Sequence, residues 1–233
     1  MKVTAIIPAG GYGKRINAGI HKQLIEISGK PILIHTLEKF QNCSCIDAII
    51  IATAPEILLE VENMVKKFNI TKVVEVTIGG NERQDSVYNA LQMMVYHHTE
   101  IVVVHDAVRP FITCEKICEV ISACKETGAA VLAVRPKETV KLGGENGFVE
   151  KTLDRNSLWL VQTPQAFYYT ILQQAYKKAY TDSFYATDDS ALVERLGIKV
   201  KVVEGLYENI KITTPEDIEF ARLIFERNKT TRL

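Results

Sequence analysis

Five short apolar runs recur between Val3 and Val134, each followed by a segment of helical periodicity, and that alternation leaves the chain few folds to choose from. The runs are Val3–Ile7, Ala48–Ala52, Val73–Val76, Ile101–Val104 and Ala129–Val134. Most are apolar at nearly every position rather than at every second one. Such strands suit a sheet covered on both faces, as parallel sheets are. The segments between them read as helices. Pro31 precedes Leu33, Ile34, Leu37 and Phe40, which share one helical face. Pro55 opens a second helix carrying Leu58, Leu59, Val61, Met64 and Val65, and Ser86–Tyr96 makes a third. Cys114–Lys125 makes a fourth, stopped by Gly128. Repetition of this kind predicts an α/β fold, an open, mostly parallel, doubly wound (Rossmann-like) sheet.

The rhythm breaks after Val134. Thr139–Leu142 and Phe148–Lys151 flank Gly143-Gly144-Glu145-Asn146-Gly147, a turn-rich stretch between two short runs, which predicts a β-hairpin. It stands outside the strand–helix pattern and reads as an inserted arm at about residues 137–157. Helices near Tyr168–Ala179 and Asp188–Leu196, a strand at Lys199–Val203 and a last helix from Pro215 follow. The 233 residues, 47% of them hydrophobic, suffice for a single domain over 1–233 with one large core.

Charge narrows the partners. Lys+Arg and Asp+Glu balance at 28 each. A nucleic-acid binder draws most of its affinity from a basic excess, so the expectation is a small ligand and no nucleic acid. No apolar run is long enough to span a bilayer, and Met1-Lys2 runs straight into a strand with no signal-like segment. A soluble, cytoplasmic protein without a membrane partner is expected. The five cysteines, Cys43, Cys45, Cys114, Cys118 and Cys124, contain no CxxC pair. They read as reduced thiols packed in helices and turns, not as a closed zinc site.

Ligands of open α/β sheets bind beyond the carboxyl ends of the strands. After the first strand comes Ala9-Gly10-Gly11-Tyr12-Gly13-Lys14-Arg15, followed by Lys22. Glycines let backbone N–H groups turn toward an anion, and the cations add charge. The dinucleotide fingerprint fails because Ile16 stands where its third glycine belongs, and the Walker A pattern fails at Pro8 and Arg15. A phosphate nest remains. Gly79-Gly80-Asn81-Glu82-Arg83-Gln84-Asp85-Ser86 enters a helix, either as an anion site or as an ordinary capped start. His105-Asp106-Ala107-Val108-Arg109-Pro110 ends the most apolar strand. Asp106 is placed to bind Mg²⁺ held mainly by phosphate oxygens and water, or else to pair with Arg109 as a structural turn. His105 reads better as a satisfied buried histidine. Thr187-Asp188-Asp189 and Thr214-Pro215-Glu216-Asp217 both read as helix caps.

Taken together and in this order, these motifs resemble the 2-C-methyl-D-erythritol 4-phosphate cytidylyltransferase family, over residues from Val3 to about Ala221. Asp154-Arg155-Asn156, Gln162-Thr163-Pro164-Gln165 and Asn209-Ile210-Lys211-Ile212-Thr213 complete the set. The resemblance implies a sheet of the nucleotidyltransferase type and a cytidylyl transfer from CTP to methylerythritol phosphate, with release of pyrophosphate and with Mg²⁺. It implies that Arg15 and Lys22 neutralise charge on the α-phosphate and the leaving group. Ala9, Gly10, Gly11, Tyr12, Gly13, Gly80, Asn81 and Ser86 would form the CTP pocket, with Asp106 and Ala107 on its ribose and metal side. Arg109, Thr139, Arg155, Thr187 and Lys211 would take the polyol phosphate. The arm would embrace a second subunit, so that Thr139 and Arg155 serve the neighbour's site in a homodimer. Gly10 stands where many members carry alanine, and His21 where proline usually precedes the Lys-Gln pair. Two other readings share these features: ribitol-5-phosphate cytidylyltransferase, and a non-catalytic nucleotide-binding module on the same fold.

Overall fold

The computed structural model describes residues 1–11 and 21–230. Its centre is a seven-stranded sheet. The strands in chain order are β1 (Val3–Ala9), the two-residue pair β2 (Glu26–Ile27) and β3 (Lys30–Pro31), β4 (Ala48–Thr53), β5 (Val73–Ile78), β6 (Ile101–Val104) and β7 (Ala129–Val134). They continue with β8 (Lys141–Gly143), β9 (Val149–Thr152), β10 (Leu160–Tyr168) and β11 (Lys201–Glu204). The main sheet runs β11-β7-β10-β6-β1-β4-β5. Every neighbouring pair in it is parallel except those made by β10, which lies antiparallel between β6 and β7.

Strand alternation divides the core in two. Ala5, Ile7, Ile49 and Ile51 point to one face, where α1 (Ile32–Gln41), α2 (Leu58–Lys67) and α4 (Cys114–Thr127) pack. Ile6, Ile50, Val102 and Val104 point to the other, beneath α3 (Arg83–Met93), α5 (Tyr169–Thr181) and α6 (Asp189–Glu194). Both faces of the central strands are therefore dry. Each fully buried isoleucine contributes roughly 1.5–3 kcal/mol by leaving water, which fixes the register of the strand ends that carry polar loops. The helix α7 (Pro215–Thr230) closes a third cluster, with Ile218 and Ala221 against Ile27, Ile32, Val108 and Ile212.

Local signals explain most boundaries. Pro31 precedes α1 as its cap residue, and Pro55 starts a 3-10 turn that leads into α2. Gly128 ends α4 in the left-handed conformation, its N–H bonded to the Cys124 carbonyl. Asp217 Oδ2 accepts from the N–H groups of Thr213 and Thr214 and so seals the start of α7. The strand β5 departs from the fully buried reading. As the sheet edge, it leaves Val74 and Ile78 about half exposed.

Two expectations are corrected. The segment Gln162-Thr163-Pro164-Gln165 is part of β10, a strand absent from the sequence reading. Its polar residues broke the apolar pattern, yet Gln162, Thr163 and Gln165 are buried. The cysteines are not all reduced thiols: Cys45 and Cys118 form a disulfide across 5.7 Å between Cα atoms. The fold brings the turn after α1 against the start of α4, within the span a disulfide bridges. The predicted hairpin is present as β8 and β9, paired antiparallel, with exposed Leu142, Phe148 and Val149.

Candidate active site

The segments that follow β1, β5 and β6, with the N-terminus of α3, surround a cleft of about 320 Å³. The expected residues Ala9, Gly10, Gly11, Lys22, Gly80, Asn81, Ser86, Asp106, Ala107 and Lys211 all line it. Tyr12, Gly13 and Arg15 lie outside the described residues. The loop leaving β1 is anchored from beneath, because the Gln23 side-chain amide donates to the Ala9 carbonyl. Lys22 packs along Gly11, where a β-carbon would stand 3.4 Å from its Cε.

Gly79-Gly80 must be glycine for space. A β-carbon on Gly80 would stand 2.2 Å from that of Asp85, and one on Gly79 would stand 2.6 Å from Ser86 Oγ. This close approach lets the Gly80 N–H donate to Ser86 Oγ at 3.1 Å. The helix behind it starts with a capping box: Glu82 caps, and the Asp85 carboxylate accepts from the Glu82 N–H at 3.0 Å. The α3 start is thus both a conventional cap and a wall of the cleft. Its positive helix end faces the space a phosphate would fill.

Asp106 forms the floor. Its Oδ1 accepts from Arg83 Nε at 3.1 Å, and its Oδ2 meets Arg109 Nε at 3.1 Å and Lys211 Nζ at 3.0 Å. Burial would raise the Asp106 pKa, but Arg83, Lys211 and Arg109 outweigh it and hold the carboxyl well below its ordinary range. The Asp106–Arg109 turn expected as the structural alternative is therefore present. Arg109 is aimed at Asp106 and at the Asn209 carbonyl, 2.8 Å away, and does not line the cleft.

Arg83 is the main residue that the sequence reading left without a role. Besides Asp106 it reaches the buried Asp189 at 2.8 Å, and Asp189 also accepts from the Tyr176 hydroxyl. Burial works against the Arg83 charge, but Asp189 and Asp106 prevail and raise its pKa. The signal was present in the coincidence of two helix starts, α3 and α6, each rich in charge. Only the fold shows that they face one another.

His105 is fully buried. Its Nε2 lies 3.1 Å from the Arg109 carbonyl, which only accepts, so Nε2 carries the proton and Nδ1 accepts from Thr163 Oγ1 at 3.1 Å. The Asp106 N–H donates in turn to Thr163 Oγ1 at 3.0 Å. Burial lowers the His105 pKa to about 4, so this histidine is a neutral brace, as expected. The buried Asn209 ties the strand below to the Lys211 loop, donating to the Thr163 carbonyl at 2.8 Å.

Thr139, Arg155 and Thr187 do not line this cleft. Thr139 and Arg155 belong to the exposed arm and its base, where Arg155 donates to the Lys137 carbonyl at 3.0 Å. Thr187 is exposed and precedes Asp188, which caps α6 by accepting from the Ala191 N–H. Asp106 was also expected to bind a metal. Both its oxygens are engaged by cations, so the described site is cationic, suited to polyphosphate rather than to a bare metal ion. A Mg²⁺ ion would have to enter such a site on phosphate oxygens, and Asp106 is the carboxylate there that would hold it.

A glycine turn, a helix N-terminus and two lysines facing one cleft at the strand ends make a polyphosphate site of the kind that nucleotidyltransferases carry. Comparison with known proteins makes this specific. Residues 3–227 match the family described as 2-C-methyl-D-erythritol 4-phosphate cytidylyltransferase. A protein of that name from Syntrophus aciditrophicus is 46% identical over 98% of this chain and 97% of its own length. One from Geobacillus kaustophilus is 45% identical over 96% and 97%. The crystal structure of 4-diphosphocytidyl-2C-methyl-D-erythritol synthase from Anaerococcus prevotii superposes with a TM-score of 0.87 at 32% identity, covering 97% of this chain and 96% of that one. The 2-C-methyl-D-erythritol 4-phosphate cytidylyltransferase from Francisella tularensis gives a TM-score of 0.80 at 36% identity, covering 96% and 99%. The chain belongs to the 2-C-methyl-D-erythritol 4-phosphate cytidylyltransferase family. It transfers a cytidylyl group from CTP to 2-C-methyl-D-erythritol 4-phosphate, releasing pyrophosphate, in isoprenoid precursor biosynthesis.

Proposed function

We propose that this cleft performs the transfer by positioning and charge neutralisation alone. The observation that carries the reading is the convergence of Lys22, Lys211 and the Gly80–Ser86 helix start on one cavity. In the reaction a phosphate oxygen of the polyol attacks the α-phosphorus of CTP. A new P–O bond forms as the bond to the bridging oxygen breaks, and pyrophosphate leaves. The attacking phosphate is already an anion, so no general base is needed. His105, with both ring nitrogens engaged, is not available as one. Nucleotidyl transfer of this kind depends on fixed cations near the developing charge. Lys22 is the described residue for that task, and Arg15 is its partner by resemblance. Ala9, Gly10, Gly11, Gly80, Asn81 and Ser86 hold CTP, together with Tyr12 and Gly13, and Asp106 and Ala107 face its ribose. Mg²⁺ supplies further neutralisation of the triphosphate when bound.

Lys211 exchanges its Asp106 partner for the polyol phosphate. Arg109 supports that site from behind, and Thr187 contributes from the start of α6. The chain is a single nucleotidyltransferase domain over 1–233, and its arm at about 137–157 serves dimerisation. The exposed Leu142, Phe148 and Val149 on a thin two-stranded ribbon support this, since such a ribbon is marginal alone in water. In the homodimer Thr139 and Arg155 reach the neighbour's cleft. No helix among the described residues is long and apolar enough to cross a membrane. We place the reaction in the cytoplasm, where CTP is made. The test is pyrophosphate release from CTP and the polyol phosphate, with and without Mg²⁺, in mixed dimers. One subunit carries Lys22→Ala and the other Arg155→Ala. Action in trans predicts one doubly damaged cleft and one intact cleft, hence about half of wild-type turnover. Action in cis leaves both clefts damaged and turnover near zero.

A further inference from the structure

Remote from the cleft wall, sulfur atoms from two separate segments converge. Cys43 and Cys45 sit in the turn between α1 and β4, and Cys114 and Cys118 in the first turns of α4. The Sγ atoms of Cys43, Cys45 and Cys118 all lie within 4.8 Å of one another. Cys43 Sγ is 3.7 Å from Cys118 Sγ and 3.7 Å from the Cys114 carbonyl, to which its thiol donates. Cys45 and Cys118 share the disulfide. A disulfide that only staples two segments needs two of these four cysteines. It does not account for the third sulfur, that of Cys43, held at the same point.

We propose that, once this disulfide is reduced, the clustered sulfurs of Cys43, Cys45 and Cys118 bind one thiophilic divalent cation, Zn²⁺, with Cys114, one helical turn before Cys118, supplying the fourth sulfur. Independent physical features support this. Tetrahedral zinc–thiolate sites have metal–sulfur bonds of about 2.3 Å, which sets neighbouring sulfurs roughly 3.8 Å apart, close to the Cys43–Cys118 separation of 3.7 Å. The spacing of Cys114 and Cys118 places both on one face of α4. Finally, Lys72 Nζ lies over this turn, 2.6 Å from the Cys43 carbonyl, and would offset the negative charge of a zinc tetrathiolate. Cys43 is buried while the other three are partly exposed, so the ion has a route in from solvent. The chemistry balances: a dithiol donor passes two electrons and two protons to the disulfide, giving two thiols and its own disulfide. Zn²⁺ binding then releases the thiol protons to water.

The test uses the full chain. It is reduced anaerobically with a phosphine, which takes up one water oxygen as the disulfide becomes two thiols, and is then desalted and loaded with Zn²⁺ or Co²⁺. One Zn²⁺ retained per reduced chain, with a tetrahedral Co²⁺ spectrum showing sulfur-to-cobalt charge transfer, is the expected result. Cys43→Ser leaves the Cys45–Cys118 pair intact and should weaken retention at least tenfold. Cys124→Ser, outside the cluster, should not. The proposal fails if reduced wild-type chain holds no more metal than the oxidised chain. It also fails if Cys43→Ser, folded by circular dichroism, binds as well as wild type, or if the cobalt spectrum lacks the charge-transfer band.

Discussion

Arg83→Met separates a structural charge network from a catalytic one. Arg83 bridges two carboxylates in different surroundings. Asp106 keeps Arg109 and Lys211 at 3.1 and 3.0 Å after the change, so its own loss is small. Asp189 is only 1% exposed and is left with the Tyr176 hydroxyl as its polar partner. Removing one member of a buried ion pair leaves an uncompensated charge and costs roughly 3–5 kcal/mol. The methionine stem retains much of the packing, so the charge dominates the loss. Urea unfolding of Arg83→Met should therefore show a stability lower by about that amount. In the double variant Arg83→Met/Asp189→Asn no charge is stranded, and the tyrosine can still donate to the amide oxygen. It should recover about 2 kcal/mol relative to the sum of the single losses. The reasoning is refuted if Arg83→Met alone costs less than about 1 kcal/mol, or if the two changes add without coupling.

Lys22→Ala should lower turnover in pyrophosphate release far more than it weakens CTP binding. The expected cost is about 2.7–4 kcal/mol, as for other fixed stabilisers of transition-state charge, and wild-type turnover would dismiss its assigned role. Gly80→Ala places a β-carbon 2.2 Å from that of Asp85. It should destabilise by roughly 1–3 kcal/mol through overpacking and raise the KM for CTP. Gly10→Ala meets Ser86 Oγ at an ordinary 3.4 Å and should change stability by no more than about 0.5 kcal/mol; a large loss there would contradict the geometry. Burial depresses the His105 pKa to about 4, against roughly 6.5 in the unfolded chain. The unfolded state therefore takes up the proton first as pH falls. The stability tied to neutral His105 is full above pH 6.5 and is lost progressively toward pH 4. Urea melts should show wild type losing about 1.5 kcal/mol more than His105→Gln between pH 6.5 and 5. Parallel pH profiles would rule this linkage out.

The sequence by itself determined the strand–helix alternation, because nearly unbroken apolar runs are stable only between two helical layers. It also marked the helix starts at Pro31, Pro55 and Pro215, since proline and the short polar caps act on the backbone within a few residues. Ten of the expected site residues line the cleft for a related reason: loops that follow parallel strands must emerge at one sheet edge. Contacts between distant segments were not legible. The strand β10 hides its strand character behind Gln162, Thr163 and Gln165, whose polar atoms are satisfied by loops more than twenty residues away. Arg83 looked like one charge in a helix start until the fold set it between Asp106 and Asp189. The cysteines at 43 and 45 meet those at 114 and 118 only because α1 and α4 pack on the same face of the sheet. Local propensity and periodicity act over a few residues and can be read along the chain. Ion pairs, buried hydrogen bonds and sulfur contacts join segments tens of residues apart, so only the tertiary structure decided them.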